Sequence, residues 1–262
     1  MSAIIIDDKI VHYEVLGRGK PIIFLHSWVG SWRYWIPTMQ ATSTAYRAYA
    51  IDLWGFGDTA KETQRYTLEQ QTELLNTFMN EMGIGKVALV GHGLGGVVAL
   101  LYATRRAFVV DRLMVVSLPL DSQELAERFG SITPSNLADR LLDQNGGTEP
   151  ARSEAAKADE AAIKVSMEGL KYLNLLDISK QMDTASLLVH GLKDPMNDVP
   201  KLNINGDLPS MAHHIVFDRS GHFPMLDQPR KFNRLVKDFL DLESGESPQR
   251  LQLKEEWKRR VR

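Results

Sequence analysis

A chain of 262 residues with 44% hydrophobic and 24% charged residues has the composition of a single soluble globular core. Its formal net charge of -2 sets up no basic field to attract nucleic acid or an acidic membrane surface. The absence of cysteine excludes disulfides, thiolate chemistry and cysteine-based metal centres. In chain order, the Ile- and Val-rich stretches Ala3–Asp8 and Lys9–Leu16 suggest an edge hairpin. Six short apolar runs follow: Pro21–Leu25, Tyr46–Leu53, Lys86–Val90, Arg112–Ser117, Ser186–His190 and His214–Asp218. Such runs suit strands buried on both faces of a parallel sheet. Segments with helical spacing lie between them at Tyr34–Ala45, Thr67–Met82, Gly96–Arg106 and Leu226–Leu242. This alternation implies crossover units and an open, doubly wound, mostly parallel sheet of eight strands in an α/β fold.

The alternation stops between Leu120 and Thr184, where Ser122–Phe129, Pro134–Gln144, Ser153–Glu168 and Leu170–Lys180 read as helices without a strand. The expected organisation is therefore a core of residues 1–119 and 185–243, a helical cap of residues 120–184 after the sixth strand, and a tail of residues 244–262. Gly146, Gly147 and Pro150 mark a joint within the cap. The tail is polar, with basic residues at Lys258–Arg260 and Arg262, and reads as a solvated end. The first fifteen residues lack the basic-then-apolar pattern of a leader and no apolar run approaches ~18 residues, so a cytoplasmic protein with no membrane partner is expected.

The chemistry must then sit on turns after strands. The run KVALV leads into Gly91-His92-Gly93-Leu94-Gly95-Gly96 and then the apolar helix VVALLYATRR. That strand, tight turn and helix is the context of a nucleophile elbow, Gly-x-Ser-x-Gly, with Gly93 at the central position. A dinucleotide loop would instead belong to a first βαβ unit and need an acidic residue closing the next strand. This loop follows the fifth strand, and the next strand ends RLMVVSLP.

Four further motifs follow strands in order. His26-Ser27-Trp28-Val29-Gly30 has the form of an HGxxG loop with Ser27 at its first glycine, and Asp52-Leu53-Trp54-Gly55-Phe56-Gly57-Asp58 that of a D-x-x-G-x-G turn. His190-Gly191-Leu192-Lys193-Asp194-Pro195 and Ser220-Gly221-His222-Phe223-Pro224 complete the set as an acid turn and a base loop. With these landmarks the chain resembles the α/β-hydrolase family up to about Glu243.

The resemblance implies His222 as general base and Asp194 as the acid that orients it, with Asp121 a substitute acid and Asp198 a turn residue. It implies Ser27 and Leu94 as oxyanion donors through their backbone N–H groups, and Trp28 and His92 as substrate contacts. Trp32, Trp35 and Trp54 serve the pocket rim or its packing, and His213 and His214 open the last strand at the opposite edge as surface or packing residues. No metal or cofactor is implied. A small molecule is the expected partner, in a pocket under apolar cap residues such as Leu137, Leu141, Ile163, Met167 and Leu170.

Glycine carries no attacking atom, and loss of a triad serine costs on the order of a millionfold in turnover. Three readings follow: a pseudohydrolase that binds a ligand, a carboxylic-ester hydrolase inactivated at Gly93, or a cofactor-free enzyme using His222–Asp194 as general base without a covalent intermediate.

Overall fold

The computed structural model describes residues 2–143, 147–197, 199 and 208–253. Its eight strands are β1 Ser2–Ile6, β2 Lys9–Gly17, β3 Lys20–Leu25, β4 Tyr46–Ile51, β5 Val87–His92, β6 Val110–Val116, β7 Ala185–Gly191 and β8 Ala212–Phe217. They form one sheet in the order β1-β2-β4-β3-β5-β6-β7-β8. β1, β2 and β4 pair antiparallel, and every pair from β4 to β8 is parallel. The apolar runs are the central strands: the last four residues of β3 and all of β5 are buried, as a sheet covered on both faces requires.

Helices α1 Ile36–Thr42, α2 Leu68–Glu81 and α3 Leu94–Arg105 connect these strands. Thr67 caps α2 by accepting from the Gln70 N–H, and the helix buries Leu74, Leu75, Phe78 and Met79. α3 has no polar face along Val97–Leu100, is buried from Leu94 to Leu100 against β5 and β6, and is exposed only at its C-terminal end, at Thr104 and Arg105. At the C-terminal end, the expected single helix Leu226–Leu242 is two, α9 Pro224–Asp227 and α10 Pro229–Leu240. Pro229 drives Gln228 out of the helical region, to φ -133° and ψ 60°, and then begins α10 at a position where its missing N–H costs nothing.

Between β6 and β7 the described chain forms five helices: α4 Ser122–Phe129, α5 Pro134–Leu141, α6 Glu149–Ala155, α7 Glu160–Leu170 and α8 Leu175–Lys180. Where one helix over Ser153–Glu168 is expected, α6 and α7 are separate because Asp159 caps α7, accepting from the Ala161 N–H. The insertion is tied to the loops after β3 and β4. Trp28 Nε1 donates to Ser166 Oγ at 2.9 Å, the Asp159 N–H to Gly55 O at 2.8 Å, and Tyr66 Oη to Asp159 Oδ2 at 2.7 Å. Arg33 pairs with Glu154 at 3.0 Å.

Gly146, Asp198 and the basic residues Lys258–Arg260 and Arg262 lie outside the described residues. Among the described residues no helix is long and apolar enough to cross a membrane.

Candidate active site

All the motif residues converge at the C-terminal edge of the parallel strands. β5 ends at His92 and α3 begins at Leu94, so a single residue, Gly93, makes the turn with φ 49° and ψ -112°. The turn is pressed against β3: a Cβ on Gly95 would lie 2.4 Å from Leu25 O, so only glycine fits there. The Gly93 N–H donates to Val116 O and the Gly95 N–H to His26 O, fixing the elbow to both neighbouring strands.

His222 stands on the loop between β8 and α9, and Asp194 on the turn after β7. His222 Nδ1 lies 3.0 Å from both Asp194 oxygens, and both side chains are shut from solvent. The carboxylate also accepts from the Met196 N–H and Asn197 Nδ2, each at 2.9 Å. Burial opposes the charge of Asp194, but His222 and these donors outweigh it and hold the carboxyl below its ordinary range. A charged acceptor facing Nδ1 places the proton of the neutral imidazole on that nitrogen, so that in this form Nε2 carries the lone pair.

That lone pair faces Ser27. Ser27 Oγ is 3.4 Å from His222 Nε2. The same hydroxyl fills the space above the elbow: a Cβ built on Gly93 would lie 2.1 Å from Ser27 Oγ and 2.9 Å from Ser27 Cβ. Relative to the HGxxG and Gly-x-Ser-x-Gly patterns, serine and glycine have changed places between positions 27 and 93, and the hydroxyl stays in front of the imidazole.

The oxyanion role expected of the Ser27 backbone does not fit this geometry. Its N–H is already taken, donating to Tyr34 Oη at 2.8 Å. The Leu94 N–H, at the start of α3, has no acceptor among the described residues, and neither has the Trp28 N–H beside Ser27. Helix N-termini leave such donors for an anion to use.

His92 and Trp28 are placed differently from substrate contacts. His92 is fully buried, with Nδ1 2.9 Å from Tyr34 Oη and Nε2 2.9 Å from His222 O. Burial and the neighbouring His222 push its pKa well below the ordinary histidine value, so it is neutral. A consistent relay follows: Ser27 N–H to Tyr34 Oη, Tyr34 O–H to His92 Nδ1, His92 Nε2–H to His222 O. It braces the β3 loop against the base loop, and Ser117 Oγ donates to the same carbonyl at 2.8 Å. Trp28 is wholly buried and held by Ser166; Trp35 packs against Phe24 and Phe232, and the Arg65 guanidinium lies over Trp54.

Asp121 is remote from this chemistry in role: exposed, it caps α4 by accepting from the Glu124 N–H. His214 is a packing residue, its Nε2 3.0 Å from His190 Nδ1, while His190 Nε2 donates to Leu118 O. Burial lowers the His214 pKa to about 3. His12, Asp52 and Asp58 bring three ligand-type atoms within 4.8 Å. Their oxygens already accept from the Trp32 and Asp58 N–H groups and from Lys157, so this cluster braces the turn after β4. Tyr34, Ser117 and Asn197 had no motif to announce them, because Tyr34 reaches His92 across 58 residues, Ser117 reaches His222 across 105, and Asn197 sits in a generic turn.

The profile described as the alpha/beta hydrolase family matches residues 22–235. The chain belongs to this family. Within the α/β hydrolases, it is 25% identical over 256 residues to the 2-hydroxy-6-oxo-6-(2'-aminophenyl)hexa-2,4-dienoic acid hydrolase of Metapseudomonas resinovorans, covering 87% of this chain and 86% of that one. It is 30% identical to the soluble epoxide hydrolase of a Corynebacterium species, over 108 residues that span 41% of this chain and only 38% of the relative. A hydrolase structure from Pseudomonas aeruginosa PA01 superimposes with a TM-score of 0.80 at 17% identity, covering 92% of this chain and 98% of that one, a likeness of fold alone.

Proposed function

We propose that this chain hydrolyses carboxylic-ester-type bonds, with His222 as general base and Asp194 as the group that orients it. The observation that carries this reading is the His222–Asp194 pair: the buried Asp194 carboxylate, held by the Met196 N–H and Asn197 Nδ2, lies 3.0 Å from His222 Nδ1 through both oxygens and so orients the ring with Nε2 outward as the acceptor. Gly93 provides no attacking group, so the base must act on another oxygen held in front of Nε2. The Leu94 N–H, at the N-terminus of α3, is available to the negative charge that develops on a substrate carbonyl. Helices α4 to α8, residues 120–184, serve as the cap over a small, largely apolar ligand, and opening between Trp28 and Ser166 admits it.

Turnover of p-nitrophenyl esters of increasing acyl length tests this reading. His222→Ala should lower it by ~10⁴-fold or more. Equal rates in the parent and His222→Ala would refute the assignment.

A ligand-holding pseudohydrolase is the second reading, favoured by the complete burial of Ser27, Trp28 and His222. It requires that no ester turnover exceed the His222→Ala background while a ligand still raises the melting temperature.

A further inference from the structure

We propose that the Ser27 hydroxyl is a relocated nucleophile, so that Ser27, His222 and Asp194 form a working triad whose serine comes from the loop after β3 instead of from the elbow. The inference rests on the reading of His222 as general base and adds the identity of the group on which it acts.

Three observations converge on it. Ser27 Oγ is the polar side-chain atom presented to the free His222 nitrogen, at 3.4 Å, a separation open to tightening when a substrate docks. Its position coincides with the room an elbow side chain would need, since a Cβ on Gly93 would overlap it at 2.1 Å. Gly93 is thereby both the residue without a nucleophile and the residue whose lack of a Cβ lets Ser27 reach the imidazole. The hydroxyl is also rigidly delivered. Ser27 is fully buried, its N–H is fixed by Tyr34 Oη, and its carbonyl accepts from His26 Nδ1 at 2.7 Å.

The step balances without any co-reactant but water. His222 Nε2 takes the Ser27 Oγ proton as Oγ bonds to the ester carbonyl carbon, and the Leu94 N–H receives the charge on the carbonyl oxygen. The carbon–alkoxide bond then breaks, and the imidazolium returns its proton to the leaving alcohol. Water next attacks the Ser27 ester, giving its proton to Nε2. The acid leaves as the proton passes back to Oγ.

The chain has no cysteine, so Ser27→Cys installs a unique thiol and reports the geometry without any knowledge of the natural substrate. Alkylation of this variant by iodoacetamide is expected to stay fast below pH 7, because a thiol beside His222 ionises as an ion pair, and to revert in Ser27→Cys/His222→Ala to the profile of an ordinary thiol with pKa about 8.5. An ordinary profile in both variants overturns the proposal. In the parent protein, a fluorophosphonate should add once, on the peptide carrying Ser27, with a loss of reaction in Ser27→Ala. Labelling elsewhere, or none at saturating probe, overturns it too. Ester turnover that survives Ser27→Ala but not His222→Ala would sink the relocated serine and leave the base acting on water. Turnover indifferent to His222→Ala would sink the base reading itself.

Discussion

Restoring serine to the elbow, Gly93→Ser, is the substitution the motif invites, and the geometry states what it should cost. The backbone at position 93 has φ 49°, a conformation that strains residues with a Cβ by roughly 1–3 kcal/mol. The new Cβ would also lie 2.1 Å from Ser27 Oγ and 2.9 Å from Ser27 Cβ. Rotation of the hydroxyl relieves the first contact but not the second, so the loop after β3 must shift, at about 1–3 kcal/mol for such overpacking. Together these predict a loss of about 2–6 kcal/mol, or about 4–24 °C in melting temperature for a chain of this size. Ser27→Gly in the same molecule removes both contacting atoms. The double variant should therefore recover part of that loss, with a coupling of about 1–3 kcal/mol in a double-mutant cycle read by denaturant unfolding. It should also hydrolyse p-nitrophenyl acetate faster than Gly93→Ser alone, because the elbow hydroxyl then has the place before His222 to itself. If the two substitutions add within about 0.5 kcal/mol, the steric exchange between positions 27 and 93 is refuted.

Asp194→Asn should leave the fold largely intact but allow the wrong His222 tautomer, lowering any His222-dependent turnover by ~10⁴-fold in steady-state assays. Tyr34→Phe strands the buried Ser27 N–H and His92 Nδ1 together and should cost about 2–4 kcal/mol in chemical denaturation, whereas Tyr46→Phe, which loses one half-buried bond to Leu240 O, should cost less. The folded His214 pKa, about 3, lies below its unfolded value, so the unfolded chain binds more protons between the two. Its contribution to stability is full above pH ~6.5 and fades as pH falls toward about 3; His214→Gln should flatten the melting profile in that window, and an unchanged profile would refute the buried His190–His214 pairing. Asp194, held below its usual carboxylate value, adds stability that is present above the ordinary range and lost at still lower pH, so Asp194→Asn should flatten the profile at its acid end instead.

The sheet was legible because its strands are short apolar runs with turn residues between them, a pattern that only burial on both faces explains: PIIFL and KVALV became β3 and β5 almost residue for residue. The turns after β3, β5, β7 and β8 were legible for the same reason, since parallel strands bring their C-terminal ends to one edge. Helix breaks were harder. Asp159 and Pro229 interrupt continuous helical spacing through a capping bond and a missing N–H, and apolar periodicity carries neither signal. The role of Ser27 was hidden more deeply. Its backbone looked free for an oxyanion because the nearest competitor, Tyr34 Oη, reaches it across a turn, and its side chain looked incidental because Gly93 is 66 positions away in sequence.

Position in a motif and position in space part company at this site. An elbow places its residue by a strained turn at a strand end, while Ser27 is placed by the first turn after the adjacent strand, β3, paired with β5 through Leu25 and Gly91. Residues that follow two hydrogen-bonded parallel strands at matching registers emerge side by side, so either can present one small side chain to an imidazole over that edge. Both cannot do so at once, because the overlap at 2.1 Å admits a single occupant. Serine at one position therefore favours glycine at the other on packing grounds alone. The exchange also removes the strain of a Cβ at φ 49° while keeping a hydroxyl before His222. What defines the site is the oxygen opposite His222 Nε2, whichever strand end delivers it.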